Sequence, residues 1–132
     1  MKRVRIESGT EWEPIVGYSR AIRVGNRVLV SGTTATDDGA VVGVDDPATQ
    51  TTQALENVET ALVEAGATLE DVVRTRLFVT DIDDWEEIGR AHGDVFGDVR
   101  PAASMLEVNR LIDDDLLVEV EAEAIIDPTR DR

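Results

Sequence analysis

Three glutamates, Glu119, Glu121 and Glu123, alternate with Val118, Val120, Ala122 and Ala124 near the end of this chain. In an extended segment successive side chains point to opposite sides, so the three carboxylates share one face. On an acidic protein the ordinary reading is a solvated face; the chemical one is a carboxylate that holds a water by hydrogen bonds. Tyr18 and Arg20 are two residues apart and project the same way from an extended chain. Arg20 could bind an anion, or could extend the Ile22 and Val24 face and pair with surface acid. Arg74 and Arg76 share a strand face with Phe78 and read as surface or interface charges. His92 is the one histidine, and a histidine without a partner cluster is usually packed, not ligating. Trp12 could cap a cleft or cover a seam. No constellation suits a metal: there is no cysteine, and the run Asp113–Asp115 reads as a turn.

The elements that must position these residues follow from pattern. The segment 21–32 holds two β-rich runs around Gly25-Asn26, a two-residue hairpin turn. A strand with Val4 and Ile6 precedes it, across an irregular stretch, 8–18. Residues 45–66 form a helix: Asp46 is the N-cap, Pro47 fits the first turn and Gly66 ends it. Ala54, Leu55, Val58, Ala61, Leu62 and Ala65 make its apolar stripe. A strand over 71–81 and a helix from Asp84 to Phe96, ended by Gly97, come next. Two strands, 102–108 and 116–126, complete the order β-β-β-α-β-α-β-β. This is an α+β class, one mixed sheet with two helices on one face. The other face has no element left to cover it, so other subunits should do so.

Composition bounds the rest. At 132 residues the expectation is a single domain spanning 1–132 with a real core. No apolar run approaches a membrane span and the N-terminus has no signal-like apolar region, which points to a cytoplasmic protein. Net charge is −15, from 28 acidic against 13 basic residues, and Lys2 is the one lysine. Acid spread along the chain repels nucleic acid and anionic membranes, and resembles the surfaces of halophilic proteins.

Together "GYSRAIRVGNRVLVSG", "TTQALENVETALVEAGATLEDVVRTRLFVTDIDDW" and "RPAASMLEVNRLIDDDLLVEVEA" resemble, over residues 15–126, the RidA/YjgF (L-PSP) family of imine deaminases. The resemblance implies a chorismate-mutase-like fold and a homotrimer with three clefts between subunits, each binding a small carboxylate or imine without a cofactor. It places the water-positioning carboxylate on Glu119, a cleft tyrosine on Tyr18, and a backbone N–H donor in Ser31-Gly32. The family's carboxylate-binding arginine, in a "PARS" motif, falls on Ala103, and its second-helix asparagine falls on Gly89. Met105 then lines the cleft wall or the core. Losing a charge-assisted contact to a bound carboxylate costs about 2–5 kcal/mol, roughly 30- to several-thousand-fold in affinity. Arg20 and Arg100, the latter just ahead of Pro101, are the cations that could fill the gap.

Four functions are compatible with these residues. The first is a hydrolase of 2-imino acids (enamine/imine deaminase) with weakened or altered specificity. The second is a non-catalytic metabolite-binding or chaperone-like trimer, which Ala103 favours. Chorismate mutase needs several arginines for a dianionic substrate and fits less well. Endoribonuclease activity is opposed by the charge. Because that charge is a self-repulsion screened by salt, lowering KCl from molar to millimolar should lower the melting temperature or dissociate the assembly. An unchanged melting temperature would show that the acidic surface is no salt adaptation.

Overall fold

In the computed structural model, which describes residues 1–129, six strands form one mixed sheet in the order β1-β2-β3-β8-β6-β7. The strands are β1 (Arg3–Ile6), β2 (Ala21–Val24), β3 (Arg27–Thr34), β6 (Val72–Val79), β7 (Ala102–Glu107) and β8 (Val118–Ile125). The last strand enters the middle, antiparallel to both β3 and β6, while β7 lies parallel to β6 at the edge. Helices α2 (Pro47–Glu64) and α3 (Trp85–Phe96) are the crossovers β3-α2-β6 and β6-α3-β7. Both pack on one face, as the sequence pattern predicts.

Alternation decides which face that is. Val118, Val120, Ala122 and Ala124 of β8 are each 2% exposed or less and meet Val28, Val30, Leu77 and Val79 beneath the helices. From α2, Leu55, Val58 and Leu62 complete this core. Each such side chain contributes about 1.5–3 kcal/mol on burial. The opposite face carries Glu119, Glu121, Glu123, Arg76, Phe78 and Leu29, and among the described residues no helix covers it. There Arg76 reaches Glu121 and Glu123 at 3.6 and 3.7 Å, and Arg27 reaches Glu123 at 3.4 Å. In water such pairs contribute about 0–1 kcal/mol each.

Helix α2 begins and ends as its sequence specifies. The Asp46 carboxylate accepts from the Thr49 N–H at 3.1 Å with Pro47 in the first turn. At the far end Gly66 takes φ +89°, which lets the Ala67 N–H reach the Leu62 carbonyl at 2.8 Å.

Two local features differ from the sequence reading. The stretch 8–18 is not irregular throughout: Trp12–Val16 form a short helix, α1. Buried Glu13 anchors it, accepting from the Ser8 and Thr10 hydroxyls and the Ser8 N–H. Those hydrogen bonds outweigh the upward push of burial and hold the Glu13 carboxyl below its ordinary pKa. A small hairpin, β4 (Thr36–Asp37) with β5 (Ala40–Val41), follows β3. Its turn residues Asp38 and Gly39 both have positive φ, and this Asp-Gly pair was the signal available in the sequence. Gly97 stands at the C-cap of α3, as the sequence places it, with a right-handed helical backbone; the left-handed residue that follows is Arg100, at φ +52°.

The sequence pattern also gave no hint of two bridging amides, one of them buried. Gln50 is fully enclosed and donates to the Gly43 and Asp115 carbonyls while accepting from the Leu117 N–H. Asn57 donates to the Thr34 and Thr36 carbonyls. Both fasten α2 to the ends of strands. Within the core, Leu62→Ala should destabilise the fold by about 2–5 kcal/mol, measured by denaturant unfolding in molar KCl. A cost under 1 kcal/mol would show that the helix–sheet seam is loosely packed.

Candidate functional site

The approach to Glu119 begins with an irregularity in β3. Val30 pairs with Ala122 and Thr33 with Val120, so β3 advances three residues while β8 advances two. The extra residue is a bulge at Ser31-Gly32, a feature that re-aims side chains and backbone. It is fastened from both sides: the Ser31 N–H donates to the Arg20 carbonyl at 3.0 Å and its hydroxyl to the Ser19 carbonyl at 2.7 Å. The Thr33 hydroxyl donates back to the Ser31 carbonyl at 2.7 Å.

Glycine at position 32 is required by contact, not by φ. A Cβ there would lie 2.6 Å from Glu119 Oε2 and 2.8 Å from its Cδ, so the carboxylate rests against the bulge. Arg20 approaches the same bulge. Its Nη1 donates to the Gly32 carbonyl at 2.8 Å and to the Thr33 hydroxyl at 3.1 Å, and its guanidinium lies 5.6 Å from the Tyr18 ring centroid. Its Nε is enclosed without a hydrogen-bond partner.

Burial pushes the Glu119 carboxyl above its ordinary pKa; the Arg20 charge opposes this and Glu121 adds to it. A half-buried carboxylate whose proton affinity is raised is suited to accept a proton from a held water.

Tyr18, Arg20, Ser31, Gly32 and Glu119 therefore come together. Ala103, Met105 and Arg100 do not join them. Ala103 pairs with Thr75, which pairs with Ala122, three residues along β8 from Glu119 and two strands away. The separation is roughly 14 Å by strand geometry. Ala103 also lies on the helix side of the sheet, with buried Thr75, whereas Glu119 lies on the uncovered side. Met105 packs against the core, and Arg100 is exposed beyond α3. His92 stands on the helix side too, 2.8 Å from the Thr75 hydroxyl and packed on Phe96, with burial pushing its pKa down. Arg74 and Arg76 lie on the uncovered face, and Trp12 is an exposed residue of α1. No group of metal-ligating residues occurs among the described residues, and no helix among them is long and apolar enough to cross a membrane. Two open grooves on the helical side, one lined by Thr49, Gln53 and Arg90 and one by Thr68, Gly93 and Val99, contain none of the Glu119 group.

The family model described as "Endoribonuclease L-PSP" matches residues 9–126. A crystal structure of a Mycobacterium tuberculosis member of the YjgF/YER057c/UK114 family superposes with TM-score 0.86 at 51% identity, covering 95% of this chain and 100% of that one. The 3-aminoacrylate deaminase RutC of Acinetobacter baylyi is 33% identical over 120-odd residues, 93% of this chain and 97% of that protein. Escherichia coli TdcF, solved with bound serine, superposes with TM-score 0.78 at 25% identity, covering 93% and 94%.

Gly32→Ala isolates the contact between the bulge and Glu119. The new methyl needs only the mobile end of Glu119 to shift, so stability should change by about 1 kcal/mol or less. The displaced carboxylate should titrate at lower pH, nearer an ordinary glutamate, which carboxylate NMR would detect. An unchanged Glu119 titration would mean that the bulge does not hold it.

Proposed function

Because the chain belongs to the L-PSP (YjgF/Rid) family, we propose that it is a hydrolase of small imines or enamines, working in clefts between the subunits of a homotrimer in the cytoplasm. The observation that carries this reading is the Glu119 carboxylate, seated on the Gly32 bulge beside Arg20 and Tyr18 with a raised proton affinity. The deaminase activity in the name of the Acinetobacter relative and the serine held by TdcF support a small amino-acid-derived ligand. A homotrimer is supported by the uncovered sheet face, and by the division of the expected site between two faces of one sheet. A ligand that touches both the Glu119 group and the β7 group must lie between two copies.

In the proposed reaction Glu119 holds a water against the imine carbon. As the water oxygen bonds to that carbon, Glu119 takes its proton and the C=N electron pair moves to nitrogen. That proton is then delivered to the nitrogen; as the C–N bond breaks, the new hydroxyl's oxygen forms the C=O bond and its proton also passes to the nitrogen, so that ammonia leaves a carbonyl product. Arg20, whose charge acts on Glu119, supplies positive charge near the reacting group. An Ala103 in the arginine's place favours a second reading, a metabolite-binding trimer without turnover. Endoribonuclease activity is disfavoured by the net charge of −15.

Ammonia release from enzymatically generated 2-iminopropanoate in molar KCl separates these readings. Wild type should be slow, Ala103→Arg should raise the rate about tenfold or more, and Glu119→Gln should lower it about 100-fold or more. Activity should fall on the acid side at a higher pH than an ordinary glutamate would produce, because Glu119 must be ionised and its pKa is raised. The stability sign is opposite. A carboxyl with a raised folded pKa favours the fold below its unfolded value and loses that contribution as pH rises through the folded value. Glu119→Gln should therefore raise the melting temperature at neutral pH while lowering the rate. Turnover indifferent to Glu119→Gln would overturn the hydrolase reading.

A further inference from the structure

Helix α1 turns its apolar side outward. Trp12, Ile15 and Val16, at i, i+3 and i+4, are 57%, 67% and 69% exposed, and the one buried residue of the helix is Glu13. No residue of the connection 7–20 belongs to the hydrophobic core, which takes in Ile6 before it and Ala21 after it. The fastening of this connection is therefore polar. Among the described residues, every hydrogen bond that involves a side chain of the stretch 7–18 ends on the Glu13 carboxylate. It accepts from the Ser8 hydroxyl, the Ser8 N–H at 3.1 Å, the Thr10 hydroxyl at 2.9 Å and the Thr10 N–H at 3.4 Å. None of the ion pairs among the described residues involves Glu13.

The same residue holds the other end of the helix through its backbone. The Glu13 carbonyl accepts from the Gly17 N–H at 2.9 Å and from the Tyr18 N–H at 3.0 Å. Gly17 takes φ +87°, the left-handed turn that lets both N–H groups reach back. Glu13 thus gathers residues 8–10 with its carboxylate and residues 17–18 with its carbonyl. Beyond Tyr18 the chain has a different holder, since Ser31 donates to the Ser19 and Arg20 carbonyls. Among the described residues Tyr18 has one backbone hydrogen bond, to Glu13, and one ring contact, with the Arg20 guanidinium at 5.6 Å.

We propose that Glu13 is a positioning residue of the Glu119 centre: it closes residues 8–18 into a strap that sets Tyr18 against Arg20. This rests on the hydrolase reading, in which Tyr18 and Arg20 receive the ligand and Glu119 performs the chemistry. A carboxylate suits the task because four donors converge on it and, when ionised, it only accepts. Burial works against its ionisation, and the hydrogen bonds from Ser8 and Thr10 outweigh burial. An alanine there leaves the donors without their acceptor. The Glu119 carboxylate and the Gly32 bulge are carried by β8 and β3, outside the strap. A loosened strap therefore weakens ligand binding and spares the chemical step.

Tyr18 is the one tyrosine of the chain, so its ring signals are assigned by selective labelling alone. Tyrosine-selective NMR and amide hydrogen exchange in molar KCl, with no ligand added, test the strap. In Glu13→Ala the Tyr18 ring signals should move towards those of free tyrosine. The Gly17 and Tyr18 amides should exchange about tenfold faster or more, while core amides such as that of Val120 keep their protection. Ser8→Ala/Thr10→Ala, which removes two donors and leaves Glu13 in place, should move both readouts the same way by less. With 2-iminopropanoate, Glu13→Ala should raise KM about 3- to 10-fold and leave kcat within about twofold of wild type. A merely structural role would lower apparent kcat by the fraction unfolded and leave KM alone. Ring signals and amide exchange unchanged in both folded variants would overturn the proposal, and so would a fall in kcat at fixed KM. Failure of the hydrolase reading is separate: the Tyr18 signals would still move while ammonia release ignored Glu119→Gln.

Discussion

The structure depends on one constraint, the placing of β8 between β3 and β6. An inner strand hydrogen-bonds on both edges, so its two faces must be settled by side-chain chemistry alone. Val118, Val120, Ala122 and Ala124 commit one face to the helices, and Glu119, Glu121 and Glu123 commit the other away from them. A register slip of one residue would bury three carboxylates beneath α2 and expose the valines. Everything on the uncovered face, including the Arg27 and Arg76 pairs and the Glu119 centre, inherits its position from this strand.

On that frame the β3 bulge adds the local geometry. By spending three residues against two, β3 brings backbone and glycine where a regular strand would bring a side chain. The space released is filled by the Glu119 carboxylate on one side and by the Arg20 guanidinium on the other. Arg20 is held by carbonyl and hydroxyl acceptors and makes no direct ion pair with Glu119. Its charge moderates the pKa of Glu119 without neutralising it, and the carboxylate keeps a raised proton affinity.

Two positions at which the resemblance places an arginine and an asparagine hold Ala103 and Gly89 instead. Ala103 and Gly89 remove side chains, and the nearby polar group on the helix side is a neutral imidazole fixed by Thr75. The rest of the chain is strongly acidic.

Much of this was legible in the sequence because local rules and tertiary structure agree. The 2-residue alternation of β8, the stripe of α2 with its Asp46 cap and Gly66 stop, and the Gly25-Asn26 hairpin each produced the element expected. Helix α1 escaped because it is only five residues long and is held by Glu13 through local contacts that no periodicity marks, and the β4–β5 hairpin because its strands are two residues each, with only the Asp38-Gly39 turn to mark it. Gln50 and Asn57 escaped for the same reason: their acceptors are strand-end carbonyls supplied by distant segments. The sequence by itself determined the elements, the faces of the strands and the charge. Only the tertiary structure decided that Arg20 lies against Gly32, that His92 pairs with Thr75, and that Ala103 and Glu119 occupy opposite sides of one sheet. Those facts depend on the bulge and on strand order, which bring together residues that no local pattern connects.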